Sequence, residues 1–404
     1  MPQHIALSFL GLGPRDGYAT TTYVFDGDST RKEPFSTDLM PHAISEVLAP
    51  DQLIVAGTTE SNEKYRETLE ARCDFTSITV PSGHEEGEWW KIFETITDVI
   101  PEGAHLTIDI THGFRSLPVI ALSVALYLEV ARDVTVKGII YGSYRGSKKD
   151  SLVLNLTPFL DLIEWSVAAR QFLRDGSAKQ LARLLEDAQN DAYRTDADIK
   201  PKHASRTGSQ LEALTDAFAV VRPQEIAEDR AAGLVETLDD LQSDVARMPE
   251  LRPLSLLLEQ IQERIAPMQS PSLFNNQGFA AQVEMMRFFL QTQQLQQAVT
   301  LAREALVSHQ ALQMGLDPEP VPRSEWEGSG RQQAEHHLGA LADQHESRSD
   351  GEKVLGDLWH QLSTFRNDMN HAGMNAQPLE GVTLASKTAT VVENTIDYLD
   401  DHPV

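Results

Sequence analysis

Residues 106–118 read Leu106-Thr-Ile-Asp109-Ile-Thr111-His112-Gly113-Phe114-Arg115-Ser116-Leu117-Pro118. An apolar, β-favouring run from Leu106 to Ile110 passes through a short polar loop into an apolar helical pattern that extends to Val130. Strand, glycine-containing loop and helix in that order make up the repeating unit of a parallel α/β sheet. The pattern recurs on both sides. Strand-like runs lie at Ile5–Leu10, Leu53–Ala56, Phe75–Val80 and Val134–Tyr141, separated by helical patterns at Leu39–Leu48, Glu63–Ala71 and Glu88–Val99. The stretch Val134–Leu156 holds two β-rich runs around Arg145-Gly-Ser-Lys-Lys-Asp150 and predicts a hairpin with a basic turn. Residues 1–157 are therefore expected to form a doubly wound, Rossmann-like domain.

From Pro158 onward the apolar period changes from 2 to 3.6. Leu160, Ile163, Val167, Phe172, Leu181 and Leu185 recur at helical spacing, as do Met285, Phe288, Phe289, Leu295, Val299 and Leu306. Residues 158–404 are expected to be all-α. Two stretches, 190–230 and 315–350, are poor in apolar residues and read as long connections, the second as an insertion. The fold class is α/β plus all-α.

Three loops fall on one rim of the expected sheet. They are Gly11-Leu12-Gly13-Pro14-Arg15, Gly57-Thr58-Thr59-Glu60-Ser61-Asn62, and Thr111-His112-Gly113-Phe114-Arg115. Ligands of open parallel sheets bind beyond the carboxyl ends of the strands, where glycines admit close backbone approach and helix N-termini favour anions. A phosphate-bearing ligand fits that chemistry. Asp16 stands where a dinucleotide fingerprint needs its third glycine, so a nicotinamide cofactor is not expected. Each loop also has a purely structural reading: Thr58 as a helix cap, Asp109 as a residue that orients its turn.

The segment Val354-Leu355-Gly-Asp-Leu358-Trp-His-Gln-Leu362-Ser-Thr-Phe365-Arg366-Asn367-Asp-Met369-Asn370-His371-Ala-Gly373 carries the strongest chemistry in the second half. Residues 354, 355, 358, 362, 365 and 369 mark one buried helical face. At about 100° per residue, Arg366, Asn370, Asn367 and His371 follow one another across an arc of about 140° on the flank opposite. Gly373 is expected to end the helix. Such a set suits phosphodiester cleavage without metal. RNA brings its own 2′-hydroxyl nucleophile, histidine moves protons near neutral pH, and arginine stabilises charge on the phosphorane oxygens. The structural alternative is a solvated helix face with a histidine beside the C-terminal dipole.

Composition sets the outer limits. Lys and Arg total 34 against 60 Asp and Glu, a net charge of −26, and both halves are acidic. That argues against a broad basic face for gripping nucleic acid and against stable DNA binding, but leaves room for local positive pockets around Arg15 with Arg115 and around Arg366. One cysteine, Cys73, excludes a disulfide framework or multi-cysteine zinc site and fits a reducing cytoplasm. No apolar run is long enough to span a membrane, and the histidines His336, His337, His345 and His360 lack metal-ligand spacing.

Gly57-Thr58, the loop from Asp109 to Pro118, and Arg366-Asn367-x-x-x-His371 together resemble the CARF–HEPN ribonucleases of type III CRISPR systems, in which a Rossmann-like CARF sensor precedes a helical HEPN effector. Gln297–Val307 is similar to the helix that precedes the catalytic segment in that family. The resemblance implies a sensor over residues 1–157 and an effector over 158–404. It implies a homodimer or higher homo-oligomer whose paired sensors bind a cyclic oligoadenylate, most readily cyclic tetra-adenylate, as an allosteric activator. Gly11, Leu12, Gly13, Arg15, Thr58, Thr111, His112, Gly113, Phe114 and Arg115 are then the ligand-binding candidates. Arg366, Asn367 and His371 are the catalytic candidates for metal-independent cleavage of single-stranded RNA, with no cofactor, leaving a 2′,3′-cyclic phosphate. The competing expectation is a non-catalytic sensor that recruits a partner.

Overall fold

The computed structural model describes residues 2–25, 34–113, 116–146, 150–194, 200–247, 254–343, 349–374 and 376–404. The chain divides into two compact units, Met1–Ile163 and Glu164–Val404.

Among the described residues the first unit is an α/β sheet of eight strands: β1 (His4–Leu10), β2 (Thr21–Phe25), β3 (Phe35–Thr37), β4 (Gln52–Gly57), β5 (Thr76–Thr79), β6 (His105–His112), β7 (Thr135–Ser143) and β8 (Ser151–Asn155). Their spatial order is β3-β2-β8-β7-β6-β1-β4-β5. The central pairs β1·β4, β1·β6, β4·β5 and β6·β7 are parallel, while β7·β8 and β2·β3 are antiparallel. The expected hairpin is thus present, although residues 147–149 of its turn lie outside the described residues. Helices α1 (Met40–Leu48), α2 (Thr59–Glu70), α3 (Glu86–Val99) and α4 (Leu117–Arg132) cover the faces. Side-chain alternation divides the core accordingly. Ile5, Leu7 and Phe9 of β1 pack with Leu106 and Ile108 against α3 and α4, whereas Ala6 and Leu10 face α1 and α2. Strands β2 and β3 carry no local signal of their own, because β2 finds its partner β8 more than a hundred residues later, Tyr23 lying opposite Ser151.

The strand order reverses direction at β1, with β4 on one side and β6 on the other. That reversal is a topological switch point, where the loops leaving two neighbouring strands part and open a crevice. The residues after β1 and β6 are Gly11 and Gly113.

The second unit is helical. The division falls within α5 (Pro158–Asp175), followed by α6 (Lys179–Arg194), α7 (Ala204–Ala219) and the short α8 (Pro223–Glu225). A π-helical turn, Ile226–Arg230, leads into α9 (Ala231–Val245). Then come α10 (Leu254–Ile265), α11 (Asn276–Gln291), α12 (Leu295–Gln313), α13 (Gly330–Asp343), α14 (Asp350–Asn370) and α15 (Gly381–Asp401). Helix α12 is central and packs on α11, α13, α14 and α15. Its buried Ala298, Ala302, Ala305 and Ala311 let those neighbours approach closely.

The two stretches expected as connections both contain core helices. Leu211, Leu214 and Phe218 of α7 are buried, as are Ala334, Leu338 and Leu341 of α13. Helix α13 reads as loop in sequence because three apolar positions complete its buried face and the rest of its anchorage is polar. Buried Arg331 donates from Nη1 to Ser308 Oγ at 2.6 Å and from Nη2 to Glu304 Oε2 at 2.6 Å. Residues 344–348 lie outside the described residues.

If α13 is core, Leu338→Ala should lower stability by about 2–5 kcal/mol in urea unfolding, while His336→Ala on its exposed face should change it by less than about 0.5 kcal/mol. Equal, small effects would return 315–350 to a peripheral connection.

Candidate functional site

At the switch point the two strand ends are joined directly. The Gly11 amide donates to the His112 carbonyl at 2.7 Å. A Cβ at Gly11 would stand 2.8 Å from that carbonyl oxygen, so only glycine permits the approach. One strand back, β6 holds an extra residue relative to β1: Ser8 lies opposite Asp109, but Leu10 lies opposite His112. This bulge turns the end of β6 toward the crevice.

Asp109 anchors it. The carboxylate is fully buried and accepts from Ser8 Oγ at 2.5 Å, from the Thr111 amide at 2.9 Å and from Thr111 Oγ1 at 2.5 Å. Burial lifts the Asp109 carboxyl to about 6, against the opposing pull of those hydrogen bonds. Thr111 Oγ1 accepts in turn from the Gly142 amide at 2.8 Å, tying β6 to β7. The Thr111 hydroxyl is thus committed to the protein.

His112 has a different environment. Its Nε2 accepts from the Met40 amide, the first of α1, at 3.2 Å, which leaves the proton on Nδ1. The Tyr18 ring lies 3.8 Å from the imidazole, centroid to centroid. Burial holds the His112 imidazole down at about 4, so at neutral pH it is an uncharged hydrogen-bonding group rather than a cation.

Tyr18, Tyr65 and Lys64 complete the rim. Tyr18 Oη donates to Gly11 O at 3.1 Å, Tyr65 Oη donates to Leu12 O at 2.9 Å, and Lys64 Nζ donates to the carbonyls of Leu12 and Pro14 at 3.0 and 3.1 Å. Gly13 adopts a left-handed φ of 64° above the Tyr18 ring, where any Cβ would clash. The exposed residues Leu12, Gly13 and Arg15 are thereby fixed at their base and open outward. Thr58 lies at the end of the neighbouring strand β4, and its Oγ1 caps α2 by accepting from the Ser61 amide at 3.2 Å. Gly113 sits where a Cβ would meet Leu117 at 2.8 Å. Phe114 and Arg115 lie outside the described residues. Gly11, Leu12, Gly13, His112 and Gly113 therefore come together. Thr58 and Thr111 serve the frame, and Tyr18, Lys64 and Tyr65 join the rim without having been singled out from sequence.

The second candidate site is on α14. Ser349 caps the helix in a reciprocal box with Glu352. Leu355, Leu358, Trp359, Leu362 and Phe365 form the buried face, with Met369 packed against the core. Val354 is half exposed, contrary to expectation, because residues 351–354 all lie on the open first turns of the helix. Asn367, Asn370 and His371 are exposed on the opposite flank. Asn370 Oδ1 accepts from Gln296 Nε2 of α12 at 3.1 Å. Arg366 Nη1 donates to Asn367 Oδ1 at 3.2 Å, and Arg366 Nε is buried without a hydrogen-bond partner. The guanidinium thus retains donor capacity on the helix whose end carries the exposed His371. The helix ends in a Schellman arrangement: Gly373 N donates to Asp368 O at 2.9 Å and Ala372 N to Met369 O at 3.0 Å. The left-handed residue after the cap is Ala372, φ 53°, with Gly373 at 68° behind it. Both residues, rather than Gly373 alone, terminate α14.

Among the described residues no cluster of three His, Cys, Asp or Glu side chains is arranged to hold a metal ion, and no helix is long and apolar enough to cross a membrane.

Because Asp109 is protonated more readily folded than unfolded, it lowers stability as pH rises from about 4 through about 6. Asp109→Asn should therefore gain about 2–3 kcal/mol on the parent between pH 4 and 7, at 1.36 kcal/mol per pH unit. Parallel stability profiles for the two proteins would contradict the buried carboxyl described here.

No family model matches the chain. Over 110 residues it is 28% identical to the CRISPR-associated protein MJ1674 of Methanocaldococcus jannaschii, a stretch that covers 26% of this chain and 17% of that relative. Among solved structures, Enterococcus italicus Csm6 bound to cyclic hexa-2′-fluoro-hexa-dAMP aligns over 99% of this chain and 94% of its own, with a TM-score of 0.42 and 10% identity. The chain is thus similar to a CRISPR-associated protein in part of its sequence, and its Rossmann-like sheet followed by helices is the order that the CARF–HEPN resemblance implies.

Proposed function

We propose that the chain is a Csm6-like endoribonuclease of type III CRISPR defence, activated by a cyclic oligoadenylate and most readily by cyclic tetra-adenylate. The observation that carries this reading is the outer flank of α14, where an exposed His371 shares a polar arc with Asn367, Asn370 and an Arg366 whose Nε has no partner.

The chemistry follows from those groups. The 2′-oxygen of RNA attacks the adjacent phosphorus, and the P–O5′ bond breaks as the new P–O2′ bond forms. One imidazole accepts the 2′ proton and a second donor protonates the departing O5′. Arg366 neutralises charge on the phosphorane oxygens, and Asn367 holds the guanidinium in place. The products are a 2′,3′-cyclic phosphate and a 5′-hydroxyl. A two-fold pairing supplies two Arg366 and two His371 to one phosphate. Helix α4 supports pairing through the sheet unit: Val119, Tyr127 and Val130 lie exposed on its outer face, with Trp90 of α3 exposed as well.

The switch-point rim takes the activator. The exposed Leu12, Gly13 and Arg15 face the activator, the first turn of α1 points its amide at His112, and the neutral His112 donates from Nδ1. Activation is a coupling free energy: the cyclic ligand binds more tightly to the cleaving arrangement than to the idle one.

Purified protein should cleave single-stranded RNA in EDTA only when cyclic oligoadenylate is present, and His371→Ala should reduce the rate at least about 100-fold while leaving activator binding unchanged. Loss of cleavage in EDTA, or normal cleavage by His371→Ala, overturns the assignment.

A further inference from the structure

A groove of about 360 Å³ lies between α14 and α15, lined by His360, Gln361, Thr364, Phe365, Ser386, Lys387 and Thr390. We propose that this groove, defined by the juxtaposition of His360, Gln361 and Lys387, is a nucleotide subsite that holds single-stranded RNA next to the scissile phosphate and sets base preference. The inference rests on the ribonuclease reading and deepens it.

Its position follows from helix geometry. At about 100° and 1.5 Å per residue, His360, Thr364, Asn367 and His371 fall within an arc of about 60°, and Thr364 lies about 10 Å along the axis from His371. Gln361 and Phe365 continue that surface round toward α15. Arg366 and Asn370 lie at the other edge of the same face, where Asn370 meets Gln296 of α12. The groove therefore borders the catalytic arc on the histidine side, and a strand whose phosphate sits at His371 passes into it.

Charge points the same way. In a chain with 60 acidic residues, no Asp or Glu occurs in residues 358–367 of α14 or in residues 381–392 of α15, the stretches that face each other across the groove. None lines the groove, and Lys387 contributes its cation there. The acidic surface that repels RNA elsewhere is interrupted beside the candidate active site.

The side chains suit the three parts of a nucleotide. Lys387 is exposed and reaches a phosphate as a mobile point charge. His360 offers an exposed ring on which an unstacked base can lie, and Gln361 offers both a donor and an acceptor to a base edge. Thr364, Ser386 and Thr390 line the walls with hydroxyls, the groups that meet a 2′-OH. Phe365, largely buried, forms an apolar floor.

The test measures RNA binding separately from cleavage. Full-length protein carrying His371→Ala is titrated, with cyclic tetra-adenylate present, against short fluorescent single-stranded oligonucleotides of each base, and anisotropy gives the affinity. Adding Lys387→Ala should weaken binding about tenfold, the loss of one charge-assisted contact, and reduce the slope of log affinity on log salt by about 0.7. Lys387→Arg should restore both, and Gln361→Ala should flatten the base preference. Unchanged affinity, salt slope and preference in these variants overturn the subsite, as does absence of RNA binding by the His371→Ala protein. A change in particle mass on Lys387→Ala, read by light scattering, would assign the groove to contact between copies and also overturn it. If Lys387→Ala weakens binding but protein with His371 intact leaves RNA uncut, the subsite stands and the cleavage reading falls.

Discussion

The hydrogen bond from the Gly11 amide to the His112 carbonyl holds together the two strand ends on which the sheet unit's candidate site depends. Strands β1 and β6 are neighbours only because the chain reverses its winding between them, and the reversal leaves their loops without a covering crossover. A carboxylate buried three residues before His112, that of Asp109, is tolerated because Ser8 and Thr111 supply its hydrogen bonds. That network is expensive, as the raised Asp109 pKa indicates, and its effect is to fix Thr111, Gly142 and the backbone of His112 relative to β1. Among the described residues, the outer part of the rim, Leu12, Gly13 and Arg15, is exposed.

In the helical unit the corresponding constraint is the close packing of α12. Its alanines bring α13, α14 and α15 against a common axis, so α14 has a buried face, a flank against α12 and a flank against α15. The polar arc is what remains. Arg366 sits at one margin, partly withdrawn from water, while His371 stands exposed at the helix end. An arginine desolvated on one side and an imidazole open to solvent suit the distinct tasks proposed for them, one to hold charge and the other to exchange protons. The net charge of −26 gains a specific sense beside this arrangement: the groove between α14 and α15, which no acidic side chain lines, adjoins the arc.

The sequence makes the sheet legible wherever burial forces it to. Strands β1 and β6 need apolar side chains on two faces, so Ile5–Leu10 and Leu106–Ile110 declare themselves, and the glycines after them mark the loops. The helical period of α14 likewise reveals which of Arg366, Asn367 and His371 share a surface. What stayed hidden depends on distant partners. Lys64 and Tyr65 read as ordinary residues of an exposed helix until the fold brings them to the carbonyls of Leu12 and Pro14, some fifty positions away. Tyr18 has no pattern that predicts its ring contact with His112. The hydroxyl of Thr111 looks available in sequence and is engaged in structure between Asp109 and Gly142, whereas Thr58 takes the capping role its position in the sequence also allows. Helix α13 escaped notice because its anchorage is the ion pair of Arg331 and Glu304 rather than a continuous apolar stripe.

In the proposed function, occupancy of the switch point in the sheet unit controls phosphodiester cleavage on α14. The most direct measurement is the rate of RNA cleavage as a function of cyclic tetra-adenylate concentration, for the parent and for His112→Ala. The midpoint for His112→Ala is expected to move to higher activator concentration while the plateau rate is retained. A lowered plateau with an unmoved midpoint, or cleavage that no longer responds to the activator in either protein, would contradict it.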